Sequence, residues 1–331
     1  MEETSTRRRI LLLGATGTIG RACAAQFAER GHDVVGIMRA RPKVGAATDN
    51  SAPAACLTWR SCDVTDPESL SRDGIRGEHF DVIVSCLASR NGAPADAWAI
   101  DHRAHLYALH AAQAAGIRQF VLLSAICVQK PLLEFQKAKL AFERELIASG
   151  LTYAIVRPTA FFKSLSGQVE RVKAGKPFLV FGDGTLTRCK PISDRDLACY
   201  IADCLDDESR KNKILPIGGP GSAITPRDQA AMLFELLGSP PRIRSVPLAL
   251  LDGIIGSLAT LGMVAPALRD KAEFARIGRY YATESMLVLN PATGHYDAEA
   301  TPAAGTETLR DHYVRLIRGE AKADLADHAV F

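Results

Sequence analysis

The chain has 331 residues, 47% hydrophobic and 23% charged, with a formal net charge of +3. That length accommodates one large α/β unit with an appended lobe, or two modest domains, and the composition is ordinary for a globular protein. A charge so small and so spread along the chain argues against nucleic acid as a partner.

Eight cysteines form no Cys-x-x-Cys pair and have no His-rich partner, so neither a zinc site nor an iron–sulfur cluster is expected and no metal is assigned. Several sit in apolar runs, where cysteine acts as a small buried hydrophobe, and this suggests a reducing compartment. The polar segment Met1 to Arg9 leads straight into the first apolar run. It leaves no room for a cleavable signal or transit peptide, so a cytoplasmic location is expected.

The chain is organised around Ile10 to Leu13 and the three glycines that follow at a three-residue spacing, Gly14, Gly17 and Gly20. A fully apolar run of this length reads as a strand buried on both faces of a parallel sheet. Arg21 to Arg30 reads as the helix after it. The glycines allow a sharp turn off the strand, close approach of a pyrophosphate, and tight packing of the helix on the sheet. Gly14, Thr16, Gly17, Thr18, Ile19 and Gly20 are therefore expected to cradle the phosphates of a dinucleotide at the helix N-terminus.

The second strand, Val34 to Met38, ends at Arg39, with Lys43 close behind. A basic residue at this tip accepts the 2′-phosphate of NADP, whereas an acidic one takes the free hydroxyl of NAD. NADPH is the cofactor expected, with Arg39 and Lys43 at its adenosine end. A loop from Pro42 to Ala55 leads to a third strand near Leu57 to Arg60, with Asp63 and Val64 expected beside the adenine. Asp66-Pro67-Glu68 reads as a capped helix start. The fourth strand, Asp81 to Cys86, delivers Leu87 and Ala88 to the cofactor crevice. A helical pattern from Trp98 to Ala115 stops at Gly116. The fifth strand, Gln119 to Ser124, places Ser124 at its carboxyl end. A helix from Glu134 to Ser149 and a sixth strand, Thr152 to Arg157, follow.

This alternation predicts a doubly wound parallel Rossmann sheet with a smaller, mainly helical substrate lobe. The expected dinucleotide unit covers 1–160 and the lobe 161–331, partly interleaved with the sheet. Ser193 to Asp196 reads as a capping box, and Thr225 to Asp228 as an N-cap with proline and an acidic third position. Ile214 to Ile217 reads as a further short strand. Val246 to Leu268 carries a single charge, Asp252. A buried helix lining an apolar pocket is its first reading, a peripheral membrane contact the second, and a membrane span the last, since a span needs about twenty apolar residues in a row.

Short-chain dehydrogenases carry Tyr-x-x-x-Lys on the helix after the fifth strand, where the tyrosine donates a proton and the lysine grips the nicotinamide ribose. Here the stretch is Phe135-Gln136-Lys137-Ala138-Lys139. Lys139 keeps the lysine position and is the expected catalytic residue, but Phe135 has no proton to give. Losing the phenol argues against alcohol and ketone interconversion. It suits reduction of an activated carbon–carbon double bond, in which added hydride leaves a delocalised carbanion.

The run from Phe120 to Leu140, which contains Ala125-Ile126-Cys127-Val128-Gln129-Lys130-Pro131, resembles the signature of the divinyl (proto)chlorophyllide 8-vinyl reductases. Val84 to Arg90, Glu284 to Val288 and Tyr296 to Pro302 are similar too, and the likeness runs from the glycine loop to about residue 317. The resemblance implies an NADPH-dependent, atypical short-chain dehydrogenase relative of chlorophyll and bacteriochlorophyll synthesis, acting on a tetrapyrrole. It also implies a photosynthetic bacterial source, since plant members carry a plastid transit peptide. Phe161 and Phe162 are candidate walls for a flat, greasy substrate, and Arg157 and Lys163 candidate contacts for its carboxylates. Two other classes stay open at this level: a non-catalytic NADP-binding regulatory or assembly protein, and an isoflavone-reductase-like alkene reductase.

Overall fold

The computed structural model describes residues 7–39, 57–262, 265 and 267–321. The apolar runs form strands β1 (Arg9–Leu13), β2 (Asp33–Met38), β3 (Leu57–Ser61), β4 (Val82–Ser85), β5 (Gln119–Leu123) and β6 (Thr152–Pro158). After a lobe strand, β7 (Phe178–Phe181), comes β8 (Lys213–Ile217). Seven of these make one sheet in the order β3-β2-β1-β4-β5-β6-β8, and every pairing in it is parallel. The strand order reverses between β1 and β4, where Leu13 pairs with Ser85. Ligands of open α/β sheets bind outside the carboxyl ends at such a point.

Side-chain alternation divides the core between the two faces. Ile10 and Leu12 face the helices Thr18–Glu29 and Asp194–Asp203. Leu11 and Leu13 face the opposite layer, with Phe120 and Phe142, which the helices over 67–75, 94–114 and 134–148 build. Residues beyond 160 thus return to the sheet. The helix Asp194–Asp203 packs on Thr18–Glu29, and β8 supplies an edge strand. A cut at residue 160 would remove both.

Local signals are read out with instructive exceptions. The first helix begins at Thr18, a turn before the expected Arg21, because Gly17 is its N-cap. The helix expected from Trp98 starts earlier, at Pro94, and is wound as a π-helix from Trp98 to Ala104. Thr225 and Asp228 make the reciprocal capping contacts. Ser193 caps its helix by accepting from the Asp196 amide at 3.0 Å, but the second half of that box is not made. The Asp196 carboxylate instead accepts from the amides of Thr306 (3.1 Å) and Glu307 (2.9 Å), so it pins the C-terminal segment to the sheet unit.

The lobe has its own core of Phe162, Val172, Phe178, Leu233, Phe234 and Tyr313. β7 pairs in parallel with β9 (Ile243–Val246), and β10 (Val288–Leu289) pairs antiparallel with β11 (Tyr296–Asp297). The apolar stretch after Val246 corrects its first reading. It forms the helix Leu248–Gly262, but that helix packs chiefly on Ala267–Thr283 and is not buried. Leu250 is 56% exposed and Leu261 57%. Among the described residues, no helix is long and apolar enough to cross a membrane.

Candidate active site

The glycine loop is built so that nothing larger fits. Gly14 has φ +73, and a Cβ there would lie 2.7 Å from the Cys86 carbonyl group. A Cβ on Gly20 would meet the Gly14 carbonyl oxygen at 2.1 Å. The loop is therefore pressed against the turn after β4, with the helix close behind it. Gly17 offers no side-chain cap to that helix, and no acidic residue occupies its first turn. Its amides are left for an anion from outside, which is what a pyrophosphate requires. Thr16 and Gly17 are exposed, Thr18 is half-buried, and Ile19 and Gly20 are buried as packing. Lys163, expected near substrate carboxylates, instead donates from Nζ to Thr18 Oγ1 at 3.0 Å. It brings a positive charge from the lobe to the phosphate cradle.

Arg39 is exposed directly after β2. Asp63 is exposed across from it. Hydrogen bonds from the Thr65 hydroxyl and amide hold the Asp63 carboxyl below the usual range, and Arg39 adds attraction. Val64 is buried in the core beneath, while Leu87 is half-buried and Ala88 exposed in the turn after β4. Lys43 lies outside the described residues. Arg39→Ala is expected to weaken NADPH binding about tenfold or more, the loss of one charge-assisted contact, with little change for NADH in fluorescence titrations. Equal losses for both would remove Arg39 from the 2′-phosphate site.

Lys139 is nearly buried on the helix Glu134–Ala148, and its Nζ pairs with Asp101 Oδ1 at 2.9 Å. Asp101 is 1% exposed and sits in the π-helical stretch. Its Oδ1 also accepts the Ser89 amide at 3.3 Å, while Oδ2 is buried with no partner among the described residues. Sequence reasoning missed Asp101, because no motif flags one carboxylate inside a helical pattern. The π turn itself is a feature that recurs at functional sites.

Behind the pair lies His105. Its Nδ1 is 2.8 Å from the Ile100 carbonyl, so that nitrogen carries the proton, and Nε2 accepts from Ser85 Oγ at 2.9 Å. Burial, aided by the charge of Lys139, lowers its pKa to about 4. The imidazole is neutral at physiological pH. An unfolded histidine protonates near 6.5, so this site costs stability as pH falls from there toward 4, by about 3 kcal/mol in all. The melting temperature of His105→Gln is expected to fall less over that interval than that of the wild type. Parallel curves would refute the neutral, buried state.

Ser124 is buried at the end of β5 and donates to Glu143 Oε1 at 2.5 Å. The same Glu143 is ion-paired with Arg157. The guanidinium of Arg157, expected at a substrate carboxylate, is occupied here by a buried carboxylate of the chain itself. The expectation for Phe162 is corrected: it is 3% exposed in the lobe core with its ring 5.4 Å from His312. Phe161 is half-buried, packed on the sheet core and bridged to Ile192.

Ile277, Tyr280 and Met286 of the lobe pack on Ile126, Cys127 and Leu133 at the carboxyl edge of the sheet, with Phe135 against them. A Cβ on Gly92 would meet Ile277 Cδ1 at 2.6 Å and Phe135 Cδ1 at 3.6 Å. The helix Ala267–Thr283 thus lies over the position from which the phenol is missing. Tyr280 anchors it, donating to the carbonyls of Cys127 (2.9 Å) and Lys130 (3.2 Å). Apolar walls, a cationic lysine and a phosphate cradle meet at one edge.

Residues 14–208 match the NAD(P)H-binding family model. The chain is 51% identical to the divinyl chlorophyllide a 8-vinyl-reductase of Oryza sativa subsp. indica, over 97% of this chain and 82% of that protein. The corresponding protein of Arabidopsis thaliana is 47% identical over 96% and 79% of the two chains. Both are named chloroplastic, which overturns the cytoplasmic expectation drawn from the polar N-terminal segment. Among solved structures, the NADPH complex of Escherichia coli quinone oxidoreductase QOR2 shares the fold, with a TM-score of 0.63 at 18% identity, over 93% and 99% of the two chains. The chain belongs to the divinyl chlorophyllide a 8-vinyl-reductase family.

Proposed function

We infer that the protein is an NADPH-dependent oxidoreductase that reduces the 8-vinyl group of a divinyl chlorophyllide to ethyl, in chlorophyll synthesis and, we propose, in bacteriochlorophyll synthesis. The observation that carries this reading within the site is the pairing of Lys139 with buried Asp101, one helical turn from a phenylalanine in the phenol's place. A site that keeps the lysine and gives up the phenol suits a substrate whose own π system holds the charge.

When bound, NADPH supplies the hydride. The chain's residues bind, orient and exclude water. The glycine loop and Lys163 would take the diphosphate, Arg39 the 2′-phosphate, and Lys139 the nicotinamide ribose. Asp101 fixes the direction in which Lys139 points. Ile277, Phe135 and Met286 pack into one apolar cluster, which we propose as the wall against which a flat macrocycle would lie. The vinyl group is conjugated with that macrocycle, so charge left by addition at its outer carbon spreads over the ring.

Incubating the purified chain with divinyl chlorophyllide and NADPH is expected to shift the pigment's Soret band to the blue as the conjugated vinyl is lost. NADPH that binds but is not consumed would favour a non-catalytic NADP-binding protein and refute the enzyme.

A further inference from the structure

Saturating a vinyl group takes up a proton as well as a hydride, and the helix Glu134–Ala148 has no phenol to give it. We infer that Tyr281, on the helix Ala267–Thr283, is the catalytic acid, restoring from the lobe the hydroxyl absent at Phe135. This assignment rests on the vinyl-reductase reading above. The Tyr281 hydroxyl lies 3.8 Å from Cys127 Sγ. Cys127 is 2% exposed in the turn Ile126–Gln129, three residues past Ser124 at the carboxyl end of β5. It also meets the side chain of Gln136 and lies within reach of the charge on Lys139. The hydroxyl is therefore held between the end of β5 and the helix that carries the lysine, at the edge where the cradle opens.

The neighbouring phenols are committed elsewhere. Tyr280 is 4% exposed and uses its proton on two backbone carbonyls, and Tyr296 donates to Glu284 Oε2 at 2.7 Å. Among the described residues, Tyr281 donates only to a thiol sulfur, a weak acceptor, and burial together with the Cys127 contact holds its proton well above the usual phenol range, so that a strong base such as a carbon-centred anion is what draws it off. Its ring is fixed edge-on by Tyr280, at 5.6 Å and 87°. The residue as a whole is 41% exposed while its hydroxyl points at a buried sulfur, so water meets the ring and reaches the hydroxyl along it.

The step balances. The inner vinyl carbon, holding the electron pair left by hydride addition to the outer carbon, forms a C–H bond as the Tyr281 O–H bond breaks. The phenolate then takes a proton from water. In sum, vinyl, NADPH and one proton give ethyl and NADP.

Tyr281→Phe removes one hydroxyl from a partly exposed ring. With the full chain, NADPH and divinyl chlorophyllide, the variant is expected to lose about 100-fold in kcat, within the range of general acid catalysis. Its NADPH dissociation constant and melting temperature should be unchanged. In single-turnover mixing it should accumulate a species absorbing to the red of both pigments, the reduced but unprotonated ring anion. Wild-type turnover by Tyr281→Phe, or a loss matched by weaker NADPH binding, overturns the assignment. A wild-type chain that leaves the vinyl intact refutes the vinyl-reductase reading itself.

Discussion

Lys139→Ala is expected to cut vinyl reduction by about 100-fold or more, the scale at which misplacing a bound reactant lowers a rate. The substitution also strands Asp101, 1% exposed, as a lone buried carboxylate with no cation beside it. Leaving a buried charge uncompensated costs on the order of 3–5 kcal/mol, so a drop in stability accompanies the drop in rate. A second variant separates the two. Adding Asp101→Asn removes the stranded charge, and the double variant is expected to recover much of the melting temperature and none of the turnover. Full activity in Lys139→Ala would end its role at the ribose. Phe135→Tyr, which rebuilds the dehydrogenase pattern on the helix, is expected to bring no gain in rate.

The second large effect falls on the cradle. A methyl group on Gly20 would sit 2.1 Å from the Gly14 oxygen, 2.8 Å from the Gly14 carbonyl carbon and 2.9 Å from Ala15 Cα. All three are backbone atoms, so no side chain can swing aside and the helix must lift from the strand. Overpacking of this kind costs about 1–3 kcal/mol. The larger consequence is for the phosphates, because the amides of the first turn move with the helix. NADPH affinity is expected to fall about 100-fold by the same positional argument, read by fluorescence titration beside a melting curve. Retained affinity would show that the pyrophosphate does not depend on this approach. Gly256, whose Cβ would meet nothing within 4 Å among the described residues, is the control. Alanine there should stabilise by roughly 0.5–1 kcal/mol through helix propensity alone.

The sheet was legible because its signals are local. An apolar run of four to six residues declares a strand buried on both faces, and three glycines at fixed spacing declare the turn and helix that follow. The glycine turn at the start of the first helix and the place of Lys139 on the helix after β5 were legible for the same reason. What sequence could not show depends on distant partners. Arg157 has the chemistry to bind a carboxylate from outside, but Glu143, fourteen positions earlier, already holds it. Asp196 reads as the second half of a capping box until Thr306 and Glu307 claim its carboxylate. Phe162 reads as a pocket wall until the lobe closes around it. Asp101, His105 and Tyr281 lie in ordinary helical patterns, and only the packing of three helices at the carboxyl edge brings them toward Lys139 and Cys127.

The central claim is hydride delivery to the outer carbon of a vinyl group whose ring system stores the charge. Reduction with NADPH deuterated at the nicotinamide C4, followed by mass spectrometry and NMR of the pigment, tests it most directly. Deuterium in the methyl carbon of the new ethyl group, with the methylene proton drawn from solvent, is the expected result. A product whose two new hydrogens both come from water, or label at the methylene carbon, would contradict it.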